Sequence, residues 1–184
     1  MTDFAEKFHE EGRPITPEQL FACFDKIGIS YDLYHHEAVY TVAESEKIDR
    51  DIPGTPCRNL FLRDKKKQNF LLVLQNDTEV DIKKLASVIG SGRLSFGSAE
   101  RLWEYLGVRP GSVCPFAVIN DTEKQVKILL DQSMIETELV TYHPLLNTMS
   151  VSLSPADLLK FIEAAGHKPH IVDLSAAGPD ERGE

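Results

Sequence analysis

Residues 54–74, GTPCRNLFLRDKKKQNFLLVL, decide the fold: two apolar, strand-like runs flank a turn carrying Asp64, Lys65, Lys66 and Lys67. Side chains alternate across a strand, so Cys57, Asn59 and Phe61 share one face while Arg58, Leu60 and Leu62 share the other. This alternation sets a guanidinium beside two leucines. A charge cannot stay unpaired in a dry core, so Arg58 either meets a carboxylate or a phosphate, or it points into a wet pocket. Arg63 and the three lysines form the one dense cationic run, which suits a solvated hairpin tip as well as a basic patch.

On the N-terminal side, Thr16, Pro17 and Gln19 spell a capping box with proline at the first helical position. Leu20, Phe21, Phe24 and Ile27 then give the helix one apolar face before Gly28 stops it. Residues 1–14 lack periodicity and read as an extended arm. A short strand at 31–34 runs into His35 and His36. Neighbours on a strand point apart, and no further His or Cys lies at ligand spacing, so the pair does not make a metal site. Thr41 and Glu44 form a second capping box and open a short helix carrying Val42, Ala43 and Ile48. Two prolines and a glycine within 51–56 end it in a loop.

On the C-terminal side, Asp81 caps a helix with Ile82, Leu85, Val88 and Ile89 at helical spacing, and 94–96 is a brief extended piece. Ser98 caps the next helix, in which Leu102, Trp103 and Leu106 are expected to face inward, Trp103 as a core anchor rather than a base-stacking platform. The turn-rich segment 108–115, VRPGSVCP, allows close backbone approach at Gly111 on a path fixed by prolines. It can line a pocket with amide groups or serve as a tight connection. Residues 116–119, 126–130 and 138–142 predict three strands in an antiparallel meander. His143 and Asn147 sit where the last of them runs out. Val151 and Leu153 resume extension, Ser154 and Pro155 start a helix closed by Gly166, residues 171–174 suit an edge strand, and 175–184 form a polar tail. Short helices interspersed with strands, without regular βα alternation, predict an α+β fold. The expectation is a single domain over 15–174 with helices around a mixed, largely antiparallel, barrel-like sheet.

Composition narrows the function. The chain has 184 residues, 42% hydrophobic and 27% charged, the profile of one soluble globular domain. No apolar run is long enough for a membrane span and the start is acidic, so the expected location is cytoplasmic. Cys23, Cys57 and Cys114 lie far apart with no CxxC pair, which disfavours zinc and disulfides. A net charge of −9 argues against broad non-specific binding to nucleic acid. Walker, GxGxxG, HExxH and GxSxG signatures are missing. A nucleophilic pair of Cys57 or Cys114 with His143 is conceivable, although buried, inert cysteine is commoner. The polar residues at strand ends are Arg58, Asn59, Gly111, His143 and Asn147.

Three segments carry a resemblance: Arg58-Asn59-Leu60-Phe61-Leu62 with Asp64-Lys65-Lys66, then Gly111-Ser112-Val113-Cys114-Pro115, then Tyr142-His143-Pro144-Leu145-Leu146-Asn147. In this order they resemble the YbaK/ProX family of aminoacyl-tRNA editing domains, in its free-standing branch related to the insertion domain of bacterial prolyl-tRNA synthetase. The resemblance covers roughly residues 16–174. It implies a single α+β domain, a hydrolase acting on mischarged tRNA (alanyl-tRNA for proline first), no cofactor, and mischarged tRNA and prolyl-tRNA synthetase as partners. It also implies catalytic roles for Arg58, Asn59, Gly111 and His143, with Ser112, Pro115, Asn147, Lys65 and Lys66 around the substrate. Arg58 stands where family members typically carry lysine; arginine keeps the charge but grips phosphate through a planar fork. The alternatives are a cysteinyl-tRNA deacylase of the same family and a non-catalytic binding relative.

Overall fold

The computed structural model describes residues 14–179. The elements run α1 (Pro17–Ile27), β1 (Tyr31–His35), α2 (Val42–Asp49), β2 (Thr55–Asp64), β3 (Asn69–Gln75), α3 (Ile82–Val88), β4 (Leu94–Phe96), α4 (Ala99–Leu106), β5 (Val126–Asp131), α5 (Gln132–Ile135), β6 (Val140–Tyr142), β7 (Met149–Leu153), α6 (Pro155–Ala164) and β8 (His170–Val172). Each expected cap is made. Thr16 and Thr41 close full capping boxes with Gln19 and Glu44, and Asp81, Ser98 and Ser154 accept from first-turn amides.

The strands form one sheet in the order β1-β7-β6-β2-β3-β5-β8, with β4 beside β2. This path has two ends, so the expected barrel-like sheet is an open one. Of the seven pairings four are antiparallel and three parallel. The expected meander is absent among the described residues: β5 lies parallel between β3 and β8, and β6 runs parallel to β2 and antiparallel to β7. Residues 116–119 are not a strand but part of a 3-10 helix, Pro115–Asn120. Four consecutive apolar residues carry no period that separates a strand from a buried helical turn, and here Pro115 takes the first helical position.

Both faces of the sheet are covered. On one, Phe24, Phe116 and Phe161 meet edge-on with ring centroids 5.1–5.5 Å apart, and Leu20, Phe61, Val140 and Val151 pack around them. On the other, Leu62, Phe70, Leu72 and Leu74 pack on Leu85 of α3. Leu174–Ala177 form a 3-10 turn whose buried Leu174 and Ala177 join that second core, so the packed chain continues past the expected boundary at Leu174. The expected arm at 1–14 lies outside the described residues except for Pro14, as do the last five residues of the tail. Trp103 is not a core anchor. Leu102 and Leu106 face inward four residues apart, which turns Trp103 outward by a quarter of a helical turn and leaves it 40% exposed. No described helix is long and apolar enough to cross a membrane.

β2 is the spine of this arrangement. Its first two residues pair with β6 and its last three with β4, on the same edge, so residues 57–60 have no strand beside them there. The chain enters β2 through Gly54, whose φ of +126° is closed to most L residues, and a Cβ there would stand 2.7 Å from Thr141 Oγ1. Gly54→Ala therefore combines a steric clash with backbone strain. It is expected to destabilise the fold by about 3 kcal/mol, measured by denaturant unfolding.

Candidate active site

The unpaired stretch of β2 forms one wall of a cleft of about 820 Å³, within the range of small-ligand sites. Arg58, Asn59, Gly111 and His143 all line it, together with Asp49, Thr141 and Ser150. Three segments far apart in sequence thus meet where the sheet opens between β6 and β4.

Arg58 is exposed, and its Nη2 donates to the Thr78 carbonyl at 2.7 Å. It makes no ion pair among the described residues, which removes the reading of a structural salt bridge and leaves the positive charge facing the cleft.

Asn59 points to the opposite face of β2, where its Nδ2 donates to the Val113 carbonyl at 2.9 Å. A carbonyl can only accept, so this bond fixes the amide's orientation and turns Oδ1 away. Asn59 Oδ1 and Thr141 Oγ1 are both buried without a hydrogen-bond partner. Thr141 is only 6% exposed, and leaving such an oxygen unsatisfied costs about 1–3 kcal/mol.

The GxxxP segment begins with a β-turn in which the Ser112 amide donates to the Arg109 carbonyl at 3.0 Å. Pro110 at the second position and Gly111 at the third, with φ +89°, are the residues a type II turn requires. Such a turn leaves the Gly111 amide outside its own hydrogen bond, and the space beyond Gly111 is open for 4 Å. Ser112 is buried, and Pro115 is buried at the start of the 3-10 helix; both support the loop rather than line the cleft.

His143 Nδ1 lies 2.9 Å from the Met149 carbonyl, so Nδ1 carries the hydrogen and Nε2 is the bare nitrogen. Burial holds its pKa below the ordinary histidine value, and the neighbouring His36 pushes in the same direction. His36 lies beside it, with ring centroids 5.7 Å apart; its Nδ1 donates to the Glu37 carbonyl and its Nε2 accepts from Ser150 Oγ at 3.0 Å. Asp49, from α2, has a carboxyl whose pKa is raised by burial, and Ser45 Oγ donates to it at 3.1 Å. Asn147 is not a cleft residue. Its Nδ2 donates to the Val39 carbonyl at 2.9 Å and so anchors the segment before α2 over the site.

Lys65 and Lys66 stand apart. They occupy the hairpin tip, six residues along the strand from Asn59, which at strand rise is about 20 Å. Lys66 lines a separate hollow with Phe70, Lys127 and His170. The cysteine alternative finds no geometry either. Burial pushes the Cys57 thiol up to about 12 and that of Cys114 up to about 11, and Cys57 Sγ donates to the Thr55 carbonyl at 3.3 Å rather than meeting His143.

Sequence reasoning missed Thr141, Ser150 and Asp49. A signal was present in β7, where Ser150 and Ser152 alternate with Val151 and Leu153. That polar face reads as solvent-exposed by period, yet both serines are buried.

The family described as the aminoacyl-tRNA editing domain matches residues 36–161, a span that holds every residue of the cleft. Prolyl-tRNA editing protein ProX of Acetoanaerobium sticklandii is 39% identical over 158 residues, covering 85% of this chain and 96% of the relative. Prolyl-tRNA synthetase associated domain-containing protein 1 of Mus musculus is 34% identical over 153 residues, covering 80% and 90%. Among solved structures, one described as a candidate trans-editing enzyme for prolyl tRNA synthetase superposes with a TM-score of 0.65 at 16% identity, covering 85% of this chain and 96% of that one.

Proposed function

The chain belongs to the aminoacyl-tRNA editing domain family, and from that premise we propose that it hydrolyses mischarged tRNA in trans, with alanyl-tRNA for proline as its substrate. The observation that carries this reading is the pair of buried, partnerless oxygens, Asn59 Oδ1 and Thr141 Oγ1, in the cleft wall. Asn59 Oδ1 is an acceptor only and Thr141 Oγ1 can accept, so together they suit the α-ammonium of an aminoacyl group.

The remaining groups fit the chemistry of an activated ester, which needs a placed water and a stabilised oxyanion rather than a strong nucleophile. Arg58 grips phosphate at the terminal nucleotide. His143 Nε2 takes a proton from water as its oxygen bonds to the ester carbonyl carbon. The Gly111 amide donates to the carbonyl oxygen as negative charge develops there. Collapse of the tetrahedral intermediate breaks the bond to the ribose oxygen, which leaves with the proton from His143 and yields free amino acid and tRNA. A synthetase pocket for proline cannot strongly reject the smaller alanine, since a methylene group is worth only about 1–3 kcal/mol, so a second site that excludes the larger residue is needed.

The test is a panel of tRNAs charged with alanine, cysteine or proline, with release of amino acid followed in time. Alanine release from proline tRNA, with the prolyl ester left intact, is the expected result. Preferential cysteine release moves the assignment to the cysteinyl branch, and no release at high enzyme concentration sinks the deacylase reading.

A further inference from the structure

Beside the cleft, the Arg109 guanidinium lies over the indole of Trp103, 3.9 Å from the ring centroid. Both residues are exposed, and Trp103 is the only tryptophan in the chain. Arg109 is also the first residue of the turn that presents Gly111, with its carbonyl bonded to the Ser112 amide. A β-turn keeps its first and last Cα atoms within about 7 Å, so the backbone that carries Arg109 and the cleft glycine belong to one four-residue turn. The indole packs against the guanidinium at 3.9 Å while both residues stay exposed to solvent.

We propose that the Trp103–Arg109 stack is a platform for an unpaired nucleotide base of the tRNA 3′ end, next to the terminal nucleotide in the cleft. This rests on the deacylase reading for the position of that nucleotide. Single-stranded RNA bases, having no partner, stack on aromatic rings and on arginine planes, and the cation also suits the adjoining phosphates. The alternative occupants are weaker on chemical grounds. A protein segment offers a π-face only where it carries an aromatic side chain, whereas every base of a single strand offers one with a phosphate beside it. In a chain of net charge −9 an arginine seated on an indole beside the cleft is a local attraction for RNA rather than part of a general basic surface.

Uncharged tRNA tests the platform without any hydrolysis, so its failure is separable from failure of the deacylase reading. Titration with intact tRNA is expected to change the emission of Trp103, with affinity measured in parallel by gel shift. Arg109→Ala should weaken binding of intact tRNA about tenfold, in the range of one stacking contact, and Arg109→Lys should lose most of the same increment although it keeps the charge. Removing the single-stranded 3′ nucleotides from the tRNA should weaken the unchanged protein by more than this, because the Arg58 contact is lost as well, and on the truncated tRNA the Arg109→Ala variant should bind as well as the unchanged protein. Thermal melts confirm that each variant is folded. The proposal is overturned if saturating tRNA leaves Trp103 emission unchanged, if Arg109→Lys binds as well as arginine, or if Arg109→Ala weakens intact and truncated tRNA by the same factor.

Discussion

Arg58→Ala is expected to lower kcat/KM on mischarged tRNA about thirtyfold while moving Tm by no more than about 3 °C. The first figure corresponds to about 2 kcal/mol, the worth of a hydrogen-bonded contact to a charged group. The second follows from surroundings. The side chain is exposed, it has no ion pair among the described residues, and its bond to the Thr78 carbonyl is a single contact open to water. Loss of such a bond is worth about 1 kcal/mol or less, which for a domain of this size is a shift of a few degrees. Initial rates on charged tRNA and thermal melts of the same preparations decide the matter. A collapse of Tm with full activity in the remaining folded protein assigns Arg58 to structure. Arg58→Lys is informative beside it, since it keeps the charge and tests whether the planar fork is required here.

His143→Ala is expected to lower kcat about a hundredfold, the lower range for loss of a positioned general base, and to remove the acidic limb of the pH profile. Because burial depresses the pKa of His143, the limb in kcat/KM should have its midpoint below 6.5. The same shift has a sign for stability. Between the folded pKa and 6.5 the unfolded chain binds more protons than the folded one, so stability is full above that window and falls as the pH drops through it. His167 adds to the trend, its pKa being lowered by burial against the opposing pull of Asp121. A profile whose acidic midpoint stays at or above 6.5, or a limb that persists in the alanine variant, would assign the proton transfer to another group.

Local signals carried much of the fold. Thr16 to Gly28 reads directly as a helix because its cap, its apolar face and its stop are all encoded within thirteen residues, and the hairpin of β2 and β3 is equally self-contained. What the sequence withholds is the choice of distant partners. Nothing within 126–142 says that β5 will lie parallel to β3 or that β6 will lie beside β2, because parallel pairing is set by crossovers through other elements. The site follows the same division. Arg58, Asn59, Gly111 and His143 were legible from motif resemblance, and the cleft brings them together. Thr141 was not, since a lone threonine between two buried apolar residues differs from any other sheet threonine only by what faces it. Lys65 and Lys66, which the resemblance sets around the substrate, lie at the hairpin tip, which strand rise places far from Asn59.

The parallel contact between Thr55 and Val140 spans almost half of the chain. During synthesis a ribosome therefore releases α1 and the hairpin of β2 and β3 long before the cleft has a second wall. Asn59 waits for Val113, and His143 waits for Met149 in β7, which closes against β1 from the other end of the protein. A nascent chain halted before about residue 150 lacks most of β7 and so has no complete site, and long-range pairings of this kind form late and slowly. Activity is thus acquired almost all at once when β7 pairs, and a product truncated before β7 is inert rather than partly active.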